Sequence, residues 1–294
     1  MADNYAHQLN ARKAMKIAGY TPRCEAAFIM GANGPDPLFC YQMYNPMRRY
    51  HLSGLGTVMH NEKTGLFLQN LFRMASTDAQ KDYCLGFLCH YALDSNIHPY
   101  VNYITQAYGS PYNIPSGHGY YESALDSFLS MQREGLASAH VDRYCPDMSS
   151  MHLNQIVTLF KKAVDATYTD HIYPRSEYLQ AFKDFRFIKG VFCSHHKLRF
   201  PLMYLVEKVL GFSEGFVMSH MQPCRRPLPD MPFWLNQAVE LHSVETLESI
   251  LERADHMAAE NILAGLEFFK GLYTADDLLE DIGNKSYETG VAID

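Results

Sequence analysis

The sequence predicts an all-α protein, a single multi-helix bundle over residues 1–294, and three observations carry that prediction. Apolar residues recur at helical spacing in one segment after another, most regularly as Leu247, Ile250, Leu251, Ala254, Met257, Ile262 and Leu266. No stretch alternates apolar with polar residues as a half-buried strand does. No internal repeat or low-complexity linker divides the chain, so the helices of 150–282 are expected to complete a bundle begun in 1–125.

Taken in order, a first helix is expected over 5–18, with Tyr5, Ala6, Leu9 and Ile17 inside, Gly19 ending it and His7 on its first turn. A short apolar piece over 26–30 runs into GANGPDP, whose glycines and prolines force an irregular loop with Asp36 at its tip. The aromatic and basic segment that follows, with Tyr41, Tyr44, Arg48, Arg49 and Tyr50, reads as a structured loop over a pocket as far as Gly56. Leu66, Phe67, Leu71 and Phe72 predict a helix over 63–74, with His60 just ahead of it.

Thr77 and Gln80 have the spacing of a capping box, and they open the helix around which the chain is organised. Tyr83, Phe87, His90 and Asp94 form its buried stripe, and Pro99 is expected to end it at His98. Ser116 is expected to cap a helix over 117–133, stopped by Gly135. Amphipathic helices follow over 149–168, 176–194 and 201–210, then a proline-containing loop over 211–236 closed by Trp234. Ser243 is expected to cap a long helix to about residue 270 and Thr274 a short last one, with 283–294 left as an extended tail.

A composition of 47% hydrophobic and 19% charged residues is that of an ordinary globular protein. The formal charge of −7 argues against a nucleic-acid backbone as the main partner, which wants a basic face. Small phosphate esters stay open, because bound divalent cations reverse the local sign. The first residues carry no apolar signal-peptide core, and no apolar run approaches the ~18 residues of a membrane span. Seven cysteines without a CxxC pair fit a reduced, cytoplasmic protein whose thiols fill the core. Nothing in the sequence sets the oligomeric state.

The chemistry lies in the histidines. Residues four apart on a helix differ by only about 40° around its axis, so His90 and Asp94 project together, one turn apart, onto one side. His98 follows at the expected helix end, and His118 with Glu122 repeats the histidine-carboxylate pair. Adjacent His195 and His196 diverge by about 100° on a regular helix and are expected to be structural. Catalytic zinc takes imidazole nitrogen and carboxylate oxygen, and two zincs about 3.5–4 Å apart need a bridging ligand. Asp94, between His90 and His98, is the expected bridge, with His60 and His90 on one metal and His98, His118 and Glu122 on the other.

HYALDSNIHP, an upstream GPDP, an MH upstream of a helix and a downstream HGYYE together resemble the zinc-dependent phospholipase C family, whose all-α fold is shared with a group of single-strand nucleases. That resemblance implies that Asp36 orients or deprotonates the attacking water and that His60 is a further zinc ligand. Secreted members of the family use an N-terminal tryptophan and a first-helix histidine for a third zinc. Here the start is Met1-Ala2-Asp3, so His7 matches that histidine but the third site is incomplete, and two Zn2+ ions are expected.

The implied reaction is in-line attack by metal-activated water on a phosphodiester or phospholipid-like substrate, with the cations neutralising phosphoryl charge. Tyr41, Tyr44, Tyr50, Tyr100 and Tyr103 are candidates to line a lipid or base subsite. Two other readings share the same residues: a nuclease or nucleotidase of the same fold, and a non-catalytic metal-binding helical protein.

Overall fold

The computed structural model describes residues 4–109, 117–136, 138–193, 199–212, 217–222, 228–229 and 231–293. Eleven α-helices run among them. They are α1 Asn4–Ile17, α2 Glu25–Gly31, α3 Leu52–Asn61, α4 Thr64–Met74, α5 Asp78–Tyr108, α6 His118–Glu134, α7 Ser150–Thr167, α8 Arg175–Phe192, α9 Arg199–Leu210, α10 Leu247–Phe269 and α11 Ala275–Ile282. Ser116, the His195–His196 pair and the first three residues lie outside the described residues.

Helix α5 is the axis of the fold. Its capping box forms, with Thr77 Oγ1 accepting from the Gln80 amide and Gln80 Oε1 accepting from the Thr77 amide. From Tyr83 to Val101 every side chain is buried, because α2, α10 and α1 pack around it. Buried apolar side chains from Tyr5 to Tyr287 make one contiguous cluster around this helix.

Pro99 does not end α5, which continues to Tyr108. Proline removes the N–H that would bond the carbonyl four residues back and disfavours helical backbone at the preceding residue. Here the surroundings outweigh that local bias. The helix is buried on all sides here, from Ile97 to Val101. Gly290 seals the freed Ser95 carbonyl from the other side, so closely that a Cβ at residue 290 would stand 2.3 Å from that oxygen.

Elsewhere the expected elements shift in four places. The end of the expected loop before Gly56 is helix: Leu52, Leu55 and Met59 turn inward on α3, a pattern that Gly54 and Gly56 obscure in the sequence. His60, just ahead of α4 as expected, consequently sits in the last turn of α3. A short antiparallel hairpin, β1 Trp234–Asn236 with β2 Leu241–Ser243, interrupts the otherwise helical chain, and three-residue strands are too short to show alternation. Ser243 belongs to β2, and Thr246 caps α10 in its place through the Ser249 amide.

Residues 284–293, expected to trail as an extended tail, fold back against α3 and α5. The Tyr287 amide donates to the His60 carbonyl at 2.8 Å, and the Tyr287 side chain is 1% exposed. None of the six described cysteines forms a disulfide, and five of them are buried, which fits core filling. Among the described residues no helix is long and apolar enough to cross a membrane.

Candidate metal centre

Five elements bring seven of the predicted side chains, together with His7, to one buried place. On α5, His90, Asp94 and His98 follow one another at four-residue spacing on the same side, each with 0% of its surface exposed. His7 arrives from α1, whose N-terminus is held by a buried carboxylate: Asp126 on α6 accepts the Tyr5 and Ala6 amides, both at 2.8 Å. A carboxylate there also suits the positive end of the helix dipole.

Asp36 arrives from the loop after α2, as the first residue of a 3-10 turn over Asp36–Cys40. That loop can close because Gly34 has φ +52°, and a Cβ there would lie 2.2 Å from His90 Cδ2. His60 comes from the end of α3, and His118 with Glu122 from the first turns of α6.

The carboxylate of Asp94 stands among four imidazoles. Its Oδ1 is 3.2 Å from His7 Nε2 and 3.4 Å from His98 Nε2; its Oδ2 is 3.0 Å from His90 Nε2 and 3.5 Å from His60 Nε2. Glu122 Oε1 is 3.3 Å from His98 Nε2 and 2.7 Å from His118 Nε2, and Asp36 Oδ1 is 3.7 Å from His60 Nε2. Three donor groups result, within each of which the ligand atoms lie within 4.8 Å of one another: His60, His90 and Asp94; His98, His118 and Glu122; and His7, Asp36 and His90. The first two bring together the residues expected to share a metal, and the third places His7 and Asp36 beside His90.

Several of these atoms are close to one another without being hydrogen-bonded. His7 Nε2, His60 Nε2, His90 Nε2, His118 Nε2, both oxygens of Asp94 and Asp36 Oδ1 are buried and make no hydrogen bond to the described residues. Buried polar atoms left in this state cost about 1–3 kcal/mol each, so a set of them converging on one point needs a partner. A divalent cation fits that need, since it takes lone pairs that point inward rather than along N–H···O lines.

The outer nitrogens reinforce the fit. His60 Nδ1 lies 2.7 Å from the Gly56 carbonyl, His98 Nδ1 3.0 Å from the Tyr287 carbonyl and His118 Nδ1 2.9 Å from Asn102 Oδ1. Each of these partners is an acceptor, so Nδ1 carries the proton and Nε2 presents its lone pair to the centre, as metal-ligating histidines do. The Asn102 amide is oriented in turn, because its Nδ2 donates to the Glu288 carbonyl at 3.2 Å.

Protonation follows from burial and from Asp94. Burial drives His98 down to about 3 and His118 well below the ordinary imidazole value, which keeps both in the neutral form that binds metal. His90 is lowered by burial as well, against the pull of Asp94. Burial also acts most strongly to lower His7 and His60, but Asp94 and Asp36 with lesser neighbours together outweigh it and both end up raised. Burial acts to raise Asp94; the charges of His90, His98 and His7 and the contact with His60 hold it well below the usual carboxylate range.

Sequence reasoning missed Asn102, Asp126, Tyr287 and Glu288. None carries a spacing signal, because each acts across a long sequence separation. Most of the candidate subsite tyrosines have structural partners: Tyr41 bonds Glu177, Tyr44 bonds Asp184, Tyr50 packs edge-on against Tyr173, and Tyr100 packs edge-on against Trp234.

The fold is all-α, and its buried histidines and carboxylates make a candidate metal centre. A family model described as zinc dependent phospholipase C matches residues 6–175, which holds every residue of that centre, and the chain belongs to the zinc-dependent phospholipase C family. No curated protein and no solved structure matches it.

Proposed function

We propose that the protein is a zinc-dependent hydrolase that cleaves the phosphodiester bond of a phospholipid-type substrate with water. The observation that supports this best is the orientation of His60, His98 and His118, each with Nδ1 tied to an outer acceptor and Nε2 aimed at Asp94 or Glu122. In this reading His60, His90 and Asp94 hold one zinc, His98, His118 and Glu122 hold another, and Asp94 stands between them. Bound zinc supplies Lewis acidity, which acidifies water to a pKa of about 7 and neutralises charge developing on the phosphoryl oxygens.

The chain's own residues do the rest. Asp36 is 3% exposed, and its Oδ1 has no hydrogen bond to the described residues, so it is placed to accept the proton of the attacking water. As the new oxygen–phosphorus bond forms, the bond to the leaving alcohol breaks, giving a phosphomonoester and an alcohol. Buried walls around His90, Asp94 and His98 keep bulk water away and strengthen each electrostatic interaction in the centre.

The test is turnover of a chromogenic phosphocholine ester by zinc-loaded protein, beside a single-stranded oligonucleotide and a 3′-nucleotide. Cleavage of the ester that is lost on chelation and restored by zinc is the expected result. Cleavage of the nucleotides alone would replace this reading by the nuclease one. Zinc binding without turnover of any of the three would leave a binding protein.

A further inference from the structure

The segment after α11 reaches back across the bundle to the second donor group, and it does so through two consecutive residues. The Tyr287 carbonyl accepts from His98 Nδ1 at 3.0 Å, and the Glu288 carboxylate stands 3.5 Å from the same nitrogen. The Glu288 carbonyl accepts from Asn102 Nδ2, and Asn102 Oδ1 accepts from His118 Nδ1. Both histidines of the His98–His118–Glu122 group therefore have their outer nitrogens governed, directly or through one amide, by residues 287 and 288.

That segment is itself firmly held. Ser286 Oγ accepts the Glu288 and Thr289 amides, the Tyr287 ring packs edge-on against His60, His90 and Tyr91, and Asn236 Nδ2 of the hairpin donates to the Thr289 carbonyl. Gly290 sits against the Ser95 carbonyl, where any larger residue would push the segment away. The matched family region ends at residue 175, so this contribution comes from outside it.

We propose that the Glu288 carboxylate is a positioning group for the second donor group: its Oε2 stands beside the His98 Nδ1 that the Tyr287 carbonyl holds, and its Oε1, 3.5 Å from Asn102 Nδ2, steadies the amide that holds His118, which sets that group's affinity for zinc. The inference rests on the zinc reading above. An outer carboxylate on a ligating histidine makes the ring more basic and locks its tautomer, and losing such a partner typically weakens metal binding by about 10–100-fold. The Glu288 side chain is 37% exposed, so replacing it opens no sealed cavity and the metal-free fold is expected to be unaffected.

The experiment is competitive zinc titration against a chelating dye on the full chain, wild type beside Glu288→Gln and Glu288→Ala, with thermal melts in EDTA and in zinc. The expected result is zinc binding weakened about 10-fold or more in both variants, with unchanged melting in EDTA and a smaller stabilisation by zinc. Wild-type affinity in both variants overturns the proposal while leaving the zinc reading intact, as does an equal loss of stability with and without metal, which marks a merely structural role. If the wild type binds no zinc, the reading beneath the proposal fails instead. Should Glu288→Ala fail to fold, the near-isosteric Glu288→Gln carries the test alone.

Discussion

Asp94 Oδ2 lies 3.0 Å from His90 Nε2, one turn away on the same helix, yet the two make no hydrogen bond. An imidazole and a carboxylate this close, with neither N–H nor lone pair aligned, are arranged for something between them. Replacing Asp94 by Asn halves the negative charge available to the two groups it separates and leaves four imidazoles around a neutral amide. Zinc affinity is expected to fall by more than the ~10–100-fold that loss of an outer partner costs. Equilibrium dialysis measures it, and undiminished zinc content in the variant would remove Asp94 from the centre.

Asp36 has a different expected signature. Asp36→Asn keeps the shape of the side chain and one oxygen, so zinc at the His60–His90–Asp94 and His98–His118–Glu122 groups is expected to remain. Turnover is expected to drop by about 10²–10⁴-fold, the range for losing a positioned acid or base. Assay and metal analysis on the same sample check this, and full activity would assign the proton transfer to another group.

Gly34 is where the loop bearing Asp36 passes over His90. Its φ of +52° and a Cβ that would stand 2.2 Å from His90 Cδ2 make any side chain there doubly unfavourable. Gly34→Ala is expected to destabilise the protein by about 1–3 kcal/mol and to weaken zinc binding by displacing His90. Thermal melts with and without zinc read both effects, and a neutral substitution would show that the loop is free to move away.

Without metal, the histidines of the centre pull stability in opposite directions with pH. His90, His98 and His118 are lowered in the folded chain, so below 6.5 the unfolded chain binds more protons and stability falls as pH falls, for His98 through to about 3. His7 and His60 are raised, so their contribution is full below 6.5 and is lost as pH climbs through their folded values. The EDTA-treated protein is therefore expected to melt highest near pH 6.5. Melting temperatures that rise steadily from pH 6.5 to 9 would contradict the two raised values.

How much of this could be read from the sequence depended on distance along the chain. His90, Asp94, His118 and Glu122 were legible because helical spacing alone brings four-residue neighbours together. The continuation of α5 through Pro99 was not, since the packing around it comes from distant parts of the chain such as Gly290. His60 was found as a ligand candidate ahead of α4, but the helix α3 that carries it was not, because two glycines mask its apolar face. The outer partners Tyr287 and Asn102 offer only a carbonyl and an amide, and neither leaves a mark in a one-dimensional pattern.

The central claim is that the imidazoles and carboxylates around Asp94 form a zinc centre, and anomalous X-ray scattering recorded on both sides of the zinc edge tests it most directly. Edge-dependent peaks are expected enclosed by His60, His90 and Asp94 and by His98, His118 and Glu122. A crystal grown with zinc that shows no such peak within those two groups would contradict it.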